Sequence, residues 1–326
     1  MKVFMTLLVD SLRLLRARRL FWVTLAISIV VALAYLSVGF TSDGWYLGFG
    51  MLTAKDEVIR AGSPGAQSMY LDIFGKLVGF WLSWAAVILA LISCAPIFPD
   101  FMTEGAIGIP MSKPVSRGTL FFYKYVGCLL FVLLQVLAFC VIVFVAVRWR
   151  IGIWNPGVFW AVPLVTLMFS YIYSVVVVVA VKTRSVLPGL LAGFFFWALV
   201  FFMQFTNDGL YMMAKGSDVL GAPRLEPGQT DIQWEKWHRV TEGVMMALPK
   251  TGETTRLMNR LIKVKTAREG AQDDLISATT SGYGELGQLS KSVATRHSAF
   301  YIIGTSLAFE AVMLGLAAWI FCRRDY

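Results

Sequence analysis

The sequence predicts an all-α integral membrane protein with six transmembrane helices, and two observations carry this prediction. The chain has 326 residues, of which 57% are hydrophobic and only 15% charged, against roughly 45–50% apolar and about 25% charged in ordinary soluble domains. It also contains six apolar runs long enough to cross a bilayer, which takes about 20 residues. Because the runs are continuous rather than alternating, a β-barrel does not fit.

The six runs divide the chain into regions. In chain order they are Leu20–Phe40, Leu77–Phe98, Val126–Val147, Val158–Val181, Val186–Phe205 and Phe300–Cys322. None contains Lys or Arg, and only the last contains an acid. The predicted regions are therefore a basic arm at 1–19, five spans within 20–205, a long segment at 206–299, and a final span with its tail at 300–326. The glycine-rich loop at 41–76 shows no motif.

The N-terminal arm predicts an amphipathic helix that lies in the membrane interface. Phe4, Leu7, Leu8 and Leu15 fall on one helical side, and the cations would face anionic headgroups. The alternative is a frayed basic arm that only fixes the topology. No A-x-A-like site follows the first apolar run, which argues against a cleaved signal. The candidate interfacial cations are Arg13, Arg16, Arg18 and Arg19.

The distribution of cations next to the spans predicts that both termini are cytoplasmic. With the N-terminus inside, five Lys and Arg of the arm face inward together with Lys113, Arg117, Lys124, Lys182, Arg184, Arg323 and Arg324. The short outer loops hold fewer, namely Lys55, Arg60, Lys76, Arg148 and Arg150. The loop at 99–118 is then the longest cytoplasmic loop between spans, and segment 206–299 lies outside.

Segment 206–299 predicts two helices between residues 231 and 265. Trp234, Trp237 and Thr241 recur at helical spacing, which would place both indoles on one face. After Pro249, Leu257 and Val264 continue an apolar stripe. We expect these helices to pack on each other or on the outer membrane surface. A ligand-binding aromatic patch is the alternative.

Glu310 is the one Asp, Glu, Lys, Arg or His inside a predicted span. A charge at that depth costs about 2.5–3.5 kcal/mol on insertion scales. The side chain must therefore be neutral, or face a partner or a wet cavity. Both a hydrogen bond to a neighbouring helix and a role in a transport pathway fit it.

The chain lacks the sequence patterns of common enzymes. The only histidines, His238 and His297, are far apart in the chain and have no partner at metal-ligand spacing. A P-loop, a G-x-S-x-G elbow and an H-E-x-x-H pair are also missing. The net charge of +9 follows from the inner loops, so it does not indicate nucleic-acid binding. We predict a protein that is not itself an enzyme and holds no cofactor or metal.

The loop between spans two and three interrupts the apolar sequence with an acid, glycines, prolines and cations. Gly105 and Gly108 permit tight turns, and Pro110 and Pro114 limit helix length. The cations Arg117 and Lys124 suit acidic groups on a partner or lipid phosphates. A solvated loop that only fixes topology would need the cations but not this order of residues.

These features together resemble the permease subunits of ABC-2 type transporters. The resemblance rests on Glu104-Gly105, then Pro114-Val115-Ser116-Arg117, then Tyr123-Lys124, with further matches at Lys182-Thr183-Arg184-Ser185 and at the C-terminal Phe321-Cys322-Arg323-Arg324-Asp325. It covers nearly the whole chain. The chain departs from the family pattern at Ala106, where Thr is usual, and at Ile109-Pro110, where two leucines are common.

The resemblance implies an ATP-driven exporter of the inner (plasma) membrane. The loop at 99–118 would carry a coupling helix that docks on a separate ATPase, through Glu104, Gly105, Pro114, Arg117 and Lys124. Two ATPase copies would bind ATP and Mg, and a second permease copy or a paralogue would complete the transporter. The alternative within the family is a subunit that uses ATP hydrolysis for mechanical or maturation work on an extracytoplasmic partner and transports nothing. A maturation gene next to the ATPase gene would favour this alternative.

Overall fold

The computed structural model describes residues 19–56, 59–102, 116–215, 231–262 and 296–323. Over these residues the chain is mostly helical, which confirms the predicted helical class. Five of the described helices are long and apolar enough to cross a membrane. They are Gly65–Phe101, Arg117–Ile151, Pro156–Thr183, Val186–Ala214 and Ala299–Arg323. Together they indicate a multi-pass membrane protein.

The first predicted span is shorter than its apolar run. Helix α1 covers Arg19–Leu36, and its apolar part is Trp22–Leu36. The chain then turns at Ser37, whose hydroxyl donates to the Ala34 carbonyl at 2.7 Å. Residues as far as Phe40 are apolar, but they enter a strand rather than extend the helix. The predicted first span at Leu20–Phe40 is therefore not helical at its end.

A small antiparallel sheet follows α1, which departs from the all-α prediction. Its strands are β1 (Gly39–Thr41), β2 (Gly44–Leu47) and β3 (Leu52–Lys55), paired in that order. The turn between β2 and β3 contains Gly48, Phe49 and Gly50, all at positive φ. A left-handed conformation costs a residue with a Cβ about 1–2 kcal/mol, so Phe49 at φ 57° is the unusual member.

The second apolar helix contains a π-helical segment. It comprises α2 (Pro64–Leu77), the π segment (Val78–Ala85), α3 (Ala86–Cys94) and, after a turn, α4 (Ile97–Phe101). The π segment lies at the start of the predicted span Leu77–Phe98. Its flanking residues Leu77 and Ala86 both have helical dihedral angles, so the helical path continues through it.

Three further helices follow that are long and apolar enough to cross a membrane. They are α5 (Arg117–Ile151), α6 (Ala161–Thr183), which follows a 3₁₀ turn at Pro156–Trp160, and α7 (Val186–Ala214). In the most apolar stretch of the α6 region, 83% of the residues are buried, whereas in the corresponding stretch of α7 the share is 22%. Helix α6 is thus apolar all round and interior.

The remaining helices are α8 (Ile232–Ala247), α9 (Thr251–Ile262) and α10 (Ala299–Arg323). Asp231 caps α8, because its carboxylate accepts from the Gln233 amide at 3.0 Å. Two helices after residue 231 confirm that part of the prediction for segment 206–299. Helix α7, however, continues into this segment as far as Ala214.

The chain forms two compact units. Of the described residues, the first unit contains 19–56, 59–102, 116–192, 258–262 and 314–323, and the second contains 193–215, 231–257 and 296–313. In the first unit α1 and α6 both pack on α5. The core of the second unit includes the C-terminal part of α7, α8, most of α9 and the N-terminal part of α10.

Candidate functional site

The ends of the predicted coupling loop are described, although its centre is not. Glu104, Gly105 and Pro114 lie outside the described residues. Arg117 is the first residue of α5, and Ser116 caps this helix by accepting from the Thr119 amide at 3.2 Å. The interfacial cations Arg13, Arg16 and Arg18 also lie outside the described residues, and Arg19 is the exposed first residue of α1.

An aromatic cluster, which we call the loop base, joins the two ends of this loop. Its members are Phe98, Phe101, Phe121 and Phe321. The Phe98 ring lies 5.0 Å from that of Phe121, and the Phe321 ring lies 5.8 Å from Phe121 and 6.1 Å from Phe101. The loop therefore starts and ends on a packed cluster that also contains the end of α10.

Of the two predicted coupling cations, Lys124 contacts this cluster and Arg117 contacts Cys322, the residue next to Phe321. The Lys124 ammonium lies 5.2 Å from the centre of the Phe101 ring, a cation–π distance. The Arg117 guanidinium donates to the Cys322 carbonyl at 3.3 Å. Sequence spacing put both residues in the loop region, and the structure brings both to its base. Their role toward an ATPase stays a prediction.

Arg150 joins the opposite end of α5 to α1. Its guanidinium donates to the Leu36 carbonyl at 2.9 and 3.2 Å and to the Tyr46 hydroxyl at 2.7 Å. A carbonyl at the end of a helix has no partner within that helix, and Arg150 supplies one. The C-terminal ends of α1 and α5 are therefore held at one level.

Glu310, the predicted intramembrane acid, is 7% exposed and lies in α10 within the second unit. The burial does not distinguish a neutral side chain from one that faces a partner or a wet cavity. Whether it serves a pathway stays a prediction.

A cluster of charged residues in the second unit was not foreseen. We call it the charged cluster: His238 and Glu242 of α8, Glu253 of α9, and Arg296 and His297 before α10. Arg296 Nη2 lies 2.6 Å from Glu242 Oε1. The two ring nitrogens of His297 lie 3.4 Å from Glu242 Oε1 and 3.1 Å from Glu253 Oε2. These side-chain contacts thus link α8, α9 and the residues before α10.

His238 occupies the buried end of this cluster. Its Nε2 lies 2.7 Å from Arg296 Nη1, and because a guanidinium can only donate, Nε2 accepts and the proton is on Nδ1. Burial, followed by the nearby Arg296 charge, lowers the pKa of His238, although Glu242, Glu235 and Asp208 act in the opposite direction. The site favours a neutral imidazole.

Lys250, between α8 and α9, is only 1% exposed. Its ammonium donates to the Met245 carbonyl at 3.3 Å and to Thr305 Oγ1 at 3.2 Å, and lies 4.4 Å from the Tyr301 ring centre. Burial lowers the pKa of this ammonium, against the smaller opposing effects of Glu253 and Glu242. Its backbone amide also donates to Ser306 Oγ at 2.9 Å.

Two further polar contacts connect α7 to α9. Arg256 makes a bidentate pair with Asp208, one arm of which measures 3.3 Å. Gln204 Oε1 accepts from the Gly252 amide at 2.8 Å. Polar side chains thus determine how the second unit packs.

The predicted tryptophan face of α8 is not the side that is buried within the protein. Trp237 is 59% exposed and Val244 is 46% exposed, whereas His238 and Met245 are buried. The buried side is rotated by one residue because it meets the charged cluster. The neighbouring apolar residues cannot reveal this, since the charged partners come from distant parts of the chain. The spacing of His238 and Glu242, one helical turn apart, was the available signal.

A cleft of about 260 Å³ lies beside the charged cluster in the second unit. It carries charges of both signs, so it favours no single class of ligand; its lining residues are Tyr211, Ala214, Lys215, Glu235, His238, Arg239 and Glu242. Among the residues that the structure describes, no three His, Cys, Asp or Glu side chains could share a metal ion. The contacts of the charged cluster join α8, α9 and the residues before α10.

Comparison of the chain with protein-family models, with curated proteins and with solved structures gives no match.

Proposed function

We propose that this chain is the membrane-spanning permease subunit of an ABC-2 type exporter that transmits ATP hydrolysis by a separate ATPase to substrate movement. The single observation that carries the proposal is the loop base. Phe98, Phe101, Phe121 and Phe321 fix both ends of a loop whose sequence resembles the coupling loop of that family. A force applied to such a loop reaches the ends of three helices directly.

The proposed topology has six spans, with α1 as the first. Eighteen residues of helix measure about 27 Å at 1.5 Å per residue, close to the roughly 30 Å hydrocarbon core. The Arg150 contact with Leu36 aligns the ends of α1 and α5, and the Arg117 contact with Cys322 aligns the start of α5 with the end of α10. Both alignments fit alternating spans with cytoplasmic termini.

The charges support the same sidedness. Arg19, Arg117, Lys182 and Arg323 lie at helix ends that this topology assigns to the cytoplasm, as the positive-inside rule requires. In the proposed transporter two such subunits, or this one and a paralogue, work with two ATPase copies that bind ATP and Mg. The second unit then contains the extracytoplasmic helices α8 and α9.

The test is a pull-down of the detergent-solubilised protein from its host, with mass spectrometry of what co-purifies. We expect a P-loop ATPase with the wild type and at least about tenfold less with Glu104→Ala, because loss of a hydrogen bond to a charged group costs about 1.5–3 kcal/mol. The matched control is Asp72→Ala, which removes an exposed acid that pairs with Lys76 on the proposed outer side. Absence of any ATPase, or equal loss with both variants, would refute the proposal.

A further inference from the structure

The turn between β2 and β3 exposes a wholly apolar surface. Residues 47–52, which we call the hairpin tip, read Leu-Gly-Phe-Gly-Met-Leu and contain no polar side chain. Phe49 is 63% exposed, Met51 89% and Leu52 65%. Leu47 pairs with Leu52 across the two strands, so their side chains share one face. A surface of this kind normally marks a contact with a partner or a membrane.

The hairpin tip is tied to the end of α1. The Gly48 amide donates to Ser37 Oγ at 3.2 Å, and the Phe49 amide donates to the Ser37 carbonyl at 3.4 Å. Ser37 directly follows Leu36, the last residue of the apolar helix. The tip therefore lies at the level where α1 ends.

The same level carries the residues that typically mark a membrane interface. Arg150 links Leu36 and Tyr46 to the end of α5. Trp149 and Trp154 beside it are 67% and 60% exposed, and each lies about 5 Å from an arginine, Arg150 or Arg148. Exposed tryptophans with adjacent cations are enriched at the boundary between lipid and water.

The other end of the sheet is polar. A cleft of about 300 Å³ lies at the turn between β1 and β2 and in the segment after β3, and is lined by Ser42, Asp43, Lys55, Asp56 and Arg60. The length of β2 separates this end from the tip by about 10 Å, at roughly 3.3 Å per residue. The sheet is thus amphipathic along its strands, with the apolar end next to the end of a membrane helix.

We propose that the hairpin tip inserts into the boundary between headgroups and acyl chains of the bilayer and anchors the outer end of α1 and α5. The occupant is lipid because the tip lies level with the tryptophans and carries no charge or hydrogen-bonding side chain through which a protein could be recognised specifically. Phe49 has a strained positive φ and is nevertheless 63% exposed, an arrangement that only an apolar surrounding would stabilise. The proposal rests on the membrane-spanning fold and is independent of ATPase coupling.

The test measures quenching by spin-labelled lipid. Met51→Cys and, as the matched control on the same sheet, Ser42→Cys are made in a Cys322→Ser background and labelled with the fluorophore NBD. Each is placed in phosphatidylcholine nanodiscs that carry a nitroxide near the headgroup or near the acyl-chain end. The parent without an added cysteine corrects for labelling of the buried thiols.

We expect the headgroup-proximal nitroxide to quench the label at position 51 at least about twofold more than it quenches the label at position 42. At position 51 it should also quench more than the nitroxide near the acyl-chain end does, because interfacial groups lie about 5–10 Å into the boundary. Unquenched emission typical of water would overturn the proposal. Unquenched but blue-shifted emission would overturn it too, in favour of contact with protein such as a second copy. Leu52→Cys provides a second tip position if Met51→Cys does not fold.

Discussion

The loop base and the charged cluster both join the ends of helices, but they do so with opposite chemistry. The loop base packs four phenylalanine rings, of which Phe98 and Phe321 are almost fully buried. The charged cluster joins its helices through Arg296, Glu242 and His297. Packing of rings depends on shape and little on pH or salt, whereas ion pairs depend on both. The loop base is therefore suited to transmit a force between helices, and the charged cluster is suited to respond to pH and salt.

The largest effect is expected when the loop base loses a ring. Phe321→Ala removes a side chain that is 0% exposed and contacts Phe101 and Phe121, and we expect a loss of about 3 kcal/mol in the free energy of unfolding. Hydrogen exchange in detergent should accelerate at the end of α10 and not in α8. Trp319→Ala, on the same helix at 53% exposure, is the control. Equal effects of the two variants would show that the ring contacts do not stabilise the base.

Removing the central anion of the charged cluster should have a smaller but clear effect. Glu242→Gln leaves the partly buried Arg296 without the negative charge that lies 2.6 Å from it, and we expect a loss of about 2 kcal/mol in stability. Glu235→Gln on the same helix, where the acid pairs with exposed Arg239, should change stability by less than about 0.5 kcal/mol. Thermal unfolding at constant ionic strength compares the two. A Glu242→Gln variant as stable as Glu235→Gln contradicts the assigned role.

His238 should make the second unit sensitive to acid. The pKa of His238 lies below the 6.5 of an unfolded histidine because of burial and Arg296. As the pH falls, the unfolded chain therefore binds the His238 proton before the folded protein does. The contribution of neutral His238 to the free energy of unfolding is complete above pH 6.5. Below that pH it falls by up to about 1.4 kcal/mol per pH unit, until the pKa of the folded state is reached. In His238→Gln the glutamine oxygen can still accept a hydrogen bond from Arg296. The variant should therefore lose the part of the pH dependence of stability between pH 7.5 and 5.5 that His238 causes. An unchanged slope would mean that other groups cause it.

The smallest effect is expected for the pair that joins α7 to α9. Asp208 and Arg256 form a bidentate contact but remain partly exposed, so solvent weakens their attraction. A double-mutant cycle with Asp208→Asn and Arg256→Gln should give a coupling energy of about 1 kcal/mol, which falls in high salt. A coupling near zero would limit the stabilisation of the second unit to the charged cluster and Lys250.

Hydropathy was sufficient to predict five apolar helices and the helical class, because lipid requires long continuous apolar runs. It failed at Ser37 and Gly39, where the run continues but the backbone changes to a strand. It also could not separate the two faces of α8. Trp237 has a higher intrinsic tendency to be buried than His238, yet His238 is the buried residue because Arg296 and Glu242 meet it there.

The candidate site was predictable only in part, for the same reason. Arg117 and Lys124 could be assigned to the loop region because the loop is local in sequence. The contact of Arg117 with Cys322, and the link from Arg296 to Glu242, join residues that are distant in the chain. Such pairs follow from the tertiary fold and leave no periodic trace in a single sequence.

The helix that leads to the loop contains the π segment Val78–Ala85, and this segment allows the part beyond it to rotate about the helix axis. A π turn holds one residue more than an α turn, so conversion of one turn to α geometry rotates everything beyond it by about 100° and shifts it by about 1.5 Å. Deletion of Gly79, which lies against the Asn259 side chain, would fix the α state. An unchanged activity of the proposed exporter would then argue against any use of the rotation. At its far end this helix carries Phe101, so torque applied at the loop base could turn the helix about its own axis without breaking it.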